Sequence, residues 1–96
     1  MKGYCLFDNV QVHDFKKMGL YKEKVEPIVA RFEGKYTVLG GQFKVVEGNW
    51  QPTYLVMIEF PSYEKANAWY HSKEYEQVKA IRLEAAMGNG VIIEGM

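Results

Sequence analysis

TYLVMIEFPS, residues 53–62, reads as a β-strand that is apolar on both faces. Alternate side chains of a strand point to opposite sides, so Tyr54, Val56, Ile58 and Phe60 share one face and Leu55, Met57 and Glu59 the other. A sheet with one face in water would show polar residues on that side. Here only Glu59 interrupts the apolar run, and a buried carboxylate without a partner costs several kcal/mol, roughly. The strand therefore asks for cover on both sides and for a partner to Glu59.

Working outward, KYTVLGGQFKVVEGNW precedes this strand and reads as a second one, with Gly48-Asn49 turning between them. Gly40-Gly41 interrupts it, and a bulge is the expected reason. Upstream, GYCLFDNVQV (3–12) is rich in aromatic and branched residues and predicts the first strand. In HDFKKMGLYKEKVEPIVARF, Phe15, Met18, Tyr21, Val25, Ile28, Val29 and Phe32 recur at spacings of three and four, which predicts a helix with one apolar stripe. Asp14, or His13 beside it, can cap its start, Pro27 should kink it, and Gly34 should end it.

Downstream, PSYEKANAWYHSKEYEQVKAIRLEAAMGNG is helical. Ser62 is its cap. A second cap signal at Ser72 predicts a break near His71-Ser72, so that a short helix meets a longer one. Gly88-Asn89-Gly90 should end it before a last strand, VIIEGM. The order βαββαβ predicts an α+β, ferredoxin-like domain over residues 1–96: a four-stranded antiparallel sheet with its helices on one face.

Such helices leave the other face of the sheet bare. The first and third strands are apolar on both sides, and so is Val91-Ile92-Ile93. Sheet-to-sheet pairing of two copies would bury that face, so a homodimer is expected. The 96 residues carry 12 Lys+Arg and 12 Asp+Glu, giving net charge zero and no field to attract nucleic acid or an anionic membrane. The one cysteine, Cys5, excludes an intrachain disulfide and a multi-cysteine metal site, and reads as a small buried hydrophobe. No apolar run approaches the ~18 residues of a membrane span, and the N-terminal residues lack a signal-peptide core, so the expected location is cytoplasmic. His13 and His71 have no spacing that links them to a metal or a nucleophile, and LGGQF is no phosphate loop. No metal or cofactor is expected.

KGY, EPIVARFEGKYTVLGG, VEGNWQP, VMIEFPSYEKANAWYHSKEYEQVKAIRLEAA and IIEG, in that order along nearly the whole chain, resemble the DUF1330 family. Tyr21, Gly40, Gly41, Trp50, Glu59, Phe60, Trp69, Tyr70, Tyr75 and Arg82 match its pattern. The resemblance implies a dimeric α+β barrel of ferredoxin-like units and leaves the function open. The wider superfamily holds cofactor-free monooxygenases, haem-degrading enzymes, muconolactone isomerases and chlorite dismutases, and fold alone transfers none of these activities.

Arg82 is the second unexpected charge. Tyr75, Val78, Arg82 and Ala85 follow at spacings of three and four, which places Arg82 on the inward stripe of the last helix. Glu59 is the expected partner and Asp8 the second candidate, since a guanidinium fork satisfies a carboxylate. Glu59 and Arg82 are accordingly the candidate catalytic residues, with Tyr21, Trp69 and Tyr75 as candidate walls of a pocket for a small organic metabolite between sheet and helices. The bland alternative is a non-catalytic dimer in which Glu59 and Arg82 serve only the fold. Trp50, in the turn, is expected at the dimer contact.

Overall fold

Three oxygen caps set the helical part of the chain. The Asp14 carboxylate accepts from the Lys17 amide at 3.0 Å, Ser62 Oγ from Lys65 at 3.1 Å and Ser72 Oγ from Tyr75 at 3.1 Å. In the computed structural model, which describes residues 1–96, they open helices α1 (Phe15–Arg31), α2 (Tyr63–Tyr70) and α3 (Lys73–Ala85). The break at His71-Ser72 falls where the cap signal predicts it. α1 continues through Pro27 to Arg31. The left-handed residue after it is Glu33 (φ 64°) rather than Gly34, whose amide closes onto the Val29 carbonyl at 2.9 Å.

Strands β1 (Gly3–Val12), β2 (Lys35–Leu39), β3 (Leu55–Phe60) and β4 (Ala86–Glu94) form one antiparallel sheet in the order β2-β3-β1-β4. This is the ferredoxin-like arrangement, with three helices because the second helical arm is divided. Buried residues of α1 (Met18, Tyr21, Val25, Ile28, Val29), α2 (Ala66, Trp69) and α3 (Tyr75, Val78, Ala85) pack on the inner sheet face of Cys5, Phe7, Val56, Ile58 and Phe60. At 25 cal/mol per Å², roughly, burial of such side chains dominates the stability of a small domain. Trp69 is the centre of this core, stacked on Tyr75 with ring centroids 4.3 Å apart and tilted against Phe60 at 5.5 Å.

Three expectations are corrected. The hairpin between β2 and β3 is not tight: residues 40–54 form a long irregular loop, and Phe43, Val45 and Val46 are exposed on it. The sheet irregularity lies between Tyr36 and Val38, not at the glycines, and Gly40 (φ 66°) instead turns the chain where a Cβ would collide with the Tyr54 ring. Gly88-Asn89-Gly90 does not end the last helix. α3 stops at Ala85, and the glycines lie within β4, where it presses against β1 beside a register shift between Asp8 and Gln11. No helix is long and apolar enough to cross a membrane.

Candidate functional site

Side chains of β1 alternate, so Cys5, Phe7 and Asn9 face the helices while Tyr4, Leu6 and Asp8 face outward. β3 does the same, with Val56 and Ile58 inward and Glu59 outward. Between the inner face, α1 and α3 lies a cavity of about 240 Å³. Phe7, Val25, Val56 and Ile58 make its apolar body, Tyr21, Tyr36 and Tyr54 add phenol rings, and Lys22, Glu26 and Leu39 are exposed residues on its lining. Arg82 enters its wall from α3.

Arg82 is 9% exposed, and its Nε is buried with no hydrogen-bond partner. It takes part in none of the chain's ion pairs, which join Lys2–Glu59, Lys17–Glu84, Arg31–Glu74 and Lys65–Glu33. Its guanidinium carbon stands 5.0 Å from the centre of the Phe7 ring. Burial disfavours its charge, but the hydroxyls of Tyr75 and Tyr21 more than offset this, and its pKa lies above the ordinary guanidinium value. The site therefore holds a permanent cation with phenols and an aromatic ring around it.

The phenols are neutral. Tyr21 and Tyr75 hydroxyls lie 2.8 Å apart and share one hydrogen bond. Burial raises the pKa of both, and the close hydroxyl of Tyr75 raises Tyr21 further, while Arg82 pulls Tyr75 part of the way back. Tyr36 is raised as well, chiefly by burial. Neither phenol can act as the counter-ion that Arg82 lacks.

The expected Glu59–Arg82 pair does not form. The two residues lie on opposite faces of the sheet, because Glu59 falls between inward-facing Ile58 and Phe60. Outside, Glu59 meets Lys2 Nζ at 3.7 Å and accepts from the Tyr4 hydroxyl at 3.5 Å. Asp8 is not the partner either. It is 4% exposed on the outward side, and the loop satisfies it: the Thr53 and Tyr54 amides donate to Oδ1 at 3.0 and 3.4 Å, and Trp50 Nε1 donates to Oδ2 at 3.3 Å. Trp50 is thus tied to its own chain by its indole edge, with 53% of its surface exposed.

Of the expected walls, Tyr21 lines the cavity. Tyr75 is not on the lining and contacts it through its hydroxyl, which meets Tyr21 and Arg82, and Trp69 is wholly enclosed in the core. Phe7, Asn9, Met18, Tyr36 and Tyr54 are wall residues that the sequence reading did not single out. Asn9 carried a signal, since it continues the inward series of Cys5 and Phe7 as a polar residue. Tyr36 and Tyr54 become wall residues only through the pairing of β2 with β3. No group of three His, Cys, Asp or Glu side chains is arranged to hold a metal ion.

A protein of unknown function from Rhodopseudomonas palustris has a similar fold, with TM-score 0.74 at 15% identity, over 99% of this chain and 82% of that one. A dimeric ferredoxin-like protein of unknown function from Jannaschia sp. CCS1 matches with TM-score 0.71 at 8% identity, over 99% and 100% of the two chains. SnoaB, a cofactor-independent oxygenase from Streptomyces nogalater, matches with TM-score 0.64 at 10% identity, over 99% and 91%. At such identities the likeness is one of fold alone. No curated protein matches the sequence significantly. The model of a domain of unknown function, DUF1330, matches residues 2–96, and the chain belongs to that family.

Proposed function

We propose that this protein binds a small organic anion in the cavity between sheet and helices, with Arg82 holding the anionic group. The observation that carries the reading is a buried guanidinium with no carboxylate partner and an unpaired Nε on a largely apolar cavity wall. An unpaired charge is a costly thing to keep in a core, and an incoming carboxylate or enolate would supply both the missing charge and acceptors for its donors. Phe7, Val25, Val56 and Ile58 would pack on the ligand's apolar body. A volume of about 240 Å³ lies below the range of pockets for drug-sized molecules, roughly 300–1,000 Å³, so the ligand is a small metabolite.

The test is calorimetric titration with 1-naphthoate and its uncharged counterpart 1-naphthamide. The carboxylate should bind about tenfold tighter or more, and Arg82→Met should erase the difference. Equal affinity of wild-type protein for the two compounds would refute the anion reading.

We infer also that two copies pair through the outer sheet face. The register aligns Val38, Met57, Leu6 and Val91 in one apolar row across the four strands, on the face away from the helices. Val38 is 38% and Val91 49% exposed. The loop 40–54 adds exposed Phe43, Val45 and Val46, and irregular loops beyond about 12–15 residues usually have a function. The Jannaschia protein of like fold is described as dimeric. Sedimentation should give about twice 11.1 kDa, and Leu6→Lys should give a monomer. A wild-type monomer at micromolar concentration would refute this pairing.

A further inference from the structure

A second cavity, of about 260 Å³, lies on the other side of Arg82. Tyr70 and His71 at the end of α2, Leu83 of α3 and β4 residues between Ala86 and Ile92 line it. Phe7 and Arg82 are the residues it shares with the first cavity. This pair, 5.0 Å from guanidinium carbon to ring centre, contributes to the wall of both spaces.

The sequence makes room for that shared wall. A Cβ on Gly90 would come within 2.7 Å of the Phe7 ring, so only glycine lets Phe7 lie where Arg82 covers it. The two spaces differ in character. The first space is lined mostly by aliphatic and phenol side chains, with Asn9, Lys22 and Glu26 also on its lining. The second has Leu83, Ile92 and the Tyr70 ring beside the His71 imidazole and the peptide groups of Gly88–Gly90.

Resting on the anion reading above, we infer that the two cavities are lobes of one site centred on Arg82. Its ligand is an organic anion whose acidic group is flanked by two arms rather than one carried at the end of a single chain. The guanidinium receives the acidic group from the middle. The fully apolar arm lies against Val56 and Ile58, and the second arm, which carries polar groups, lies between Leu83 and β4. A flexible arginine and one ring are a shared wall that a ligand can displace without moving the backbone.

Phenylacetate and diphenylacetate test this, since they differ only in a second arm on the carbon that carries the carboxylate. Diphenylacetate should bind wild-type protein about tenfold tighter. Leu83→Trp, at a position 58% exposed on the second lobe, should remove that advantage and leave phenylacetate unchanged. Leu39→Trp, at a position 60% exposed on the first lobe, should weaken both compounds. Diphenylacetate binding no better than phenylacetate, or an advantage indifferent to Leu83→Trp, would overturn the two-lobed site and leave the single-cavity reading standing. If Arg82→Met changes neither affinity, or neither compound binds at millimolar concentration, the anion reading falls and this inference with it.

Discussion

The hydroxyl of Tyr21 on α1 lies 2.8 Å from that of Tyr75 on α3, and this bond ties the two long helices together beside the cavity. Both rings are buried; the Tyr75 hydroxyl also faces the Arg82 guanidinium, so it is the Tyr21 hydroxyl that depends on this bond for a partner within the chain.

A double-mutant cycle should show that dependence. Tyr75→Phe alone strands the Tyr21 hydroxyl and should cost about 1–3 kcal/mol in urea unfolding at fixed protein concentration, and Tyr21→Phe, which leaves Tyr75 its contact with Arg82, should cost less. The double replacement should cost less than the sum of the two, because no orphan remains. Strictly additive losses would show that the bond contributes nothing to stability.

Glu59 and Arg82 should behave as strangers. Glu59 is partly exposed on the outer face, and Glu59→Gln should change stability by less than about 1 kcal/mol. Arg82→Met removes a buried charge that has no carboxylate, together with its contacts to Phe7 and Tyr75, and should change stability by no more than about 1 kcal/mol. Their combination should be additive. Coupling above about 0.5 kcal/mol would contradict the placement of the two side chains on opposite faces.

Asp8 should govern the order of the loop 40–54. Asp8→Ala leaves the amides of Thr53 and Tyr54 and the Trp50 indole without their acceptor. Limited proteolysis should then cut within residues 41–52 faster than in the parent, with a stability loss of about 1–3 kcal/mol. An unchanged cleavage rate in that loop would show that it is held by other means.

Alkali should destabilise the fold. Burial pushes the Cys5 thiol from 9.0 up to about 12 and raises Tyr21, Tyr36 and Tyr75 above 10.0. All four groups are therefore protonated in the folded chain at a pH where the unfolded chain releases them. Their contribution is complete below pH 9, and stability should fall as pH rises past 9 to 10, by up to about 1.4 kcal/mol per pH unit for each group. A urea midpoint that holds level from about pH 8 to pH 10.5 would contradict this.

What the sequence by itself determined is the part that local rules govern. Asp14, Ser62 and Ser72 mark where helices start because a side-chain oxygen can satisfy the first free amides of a helix whatever else the chain does. Spacings of three and four placed Tyr21, Tyr75 and Arg82 inward, and alternation of two placed Val56 and Ile58 on one face of their strand and Glu59 on the other. Arg82 stood out as a charge on a buried stripe, which was enough to single it out.

Only the tertiary structure decided what Arg82 faces. The inward stripe of a helix meets the inward face of a sheet, and Glu59 belongs to the outward face, so the attraction between these two odd charges is blocked by the sheet itself. The loop 40–54 was unreadable for a related reason. QFKVV alternates as well as any strand, but it has no strand to pair with in the single chain, and the anchor that orders the segment's end is Asp8, more than forty residues away in sequence. The glycines of β4 read as a helix terminator because close packing against Phe7 and the Asp8 carbonyl leaves no trace in local sequence. Backbone periodicity and caps act over one or two turns and are written locally. Which face meets which, and which groups are left without a partner, follows only when distant strands are brought into register.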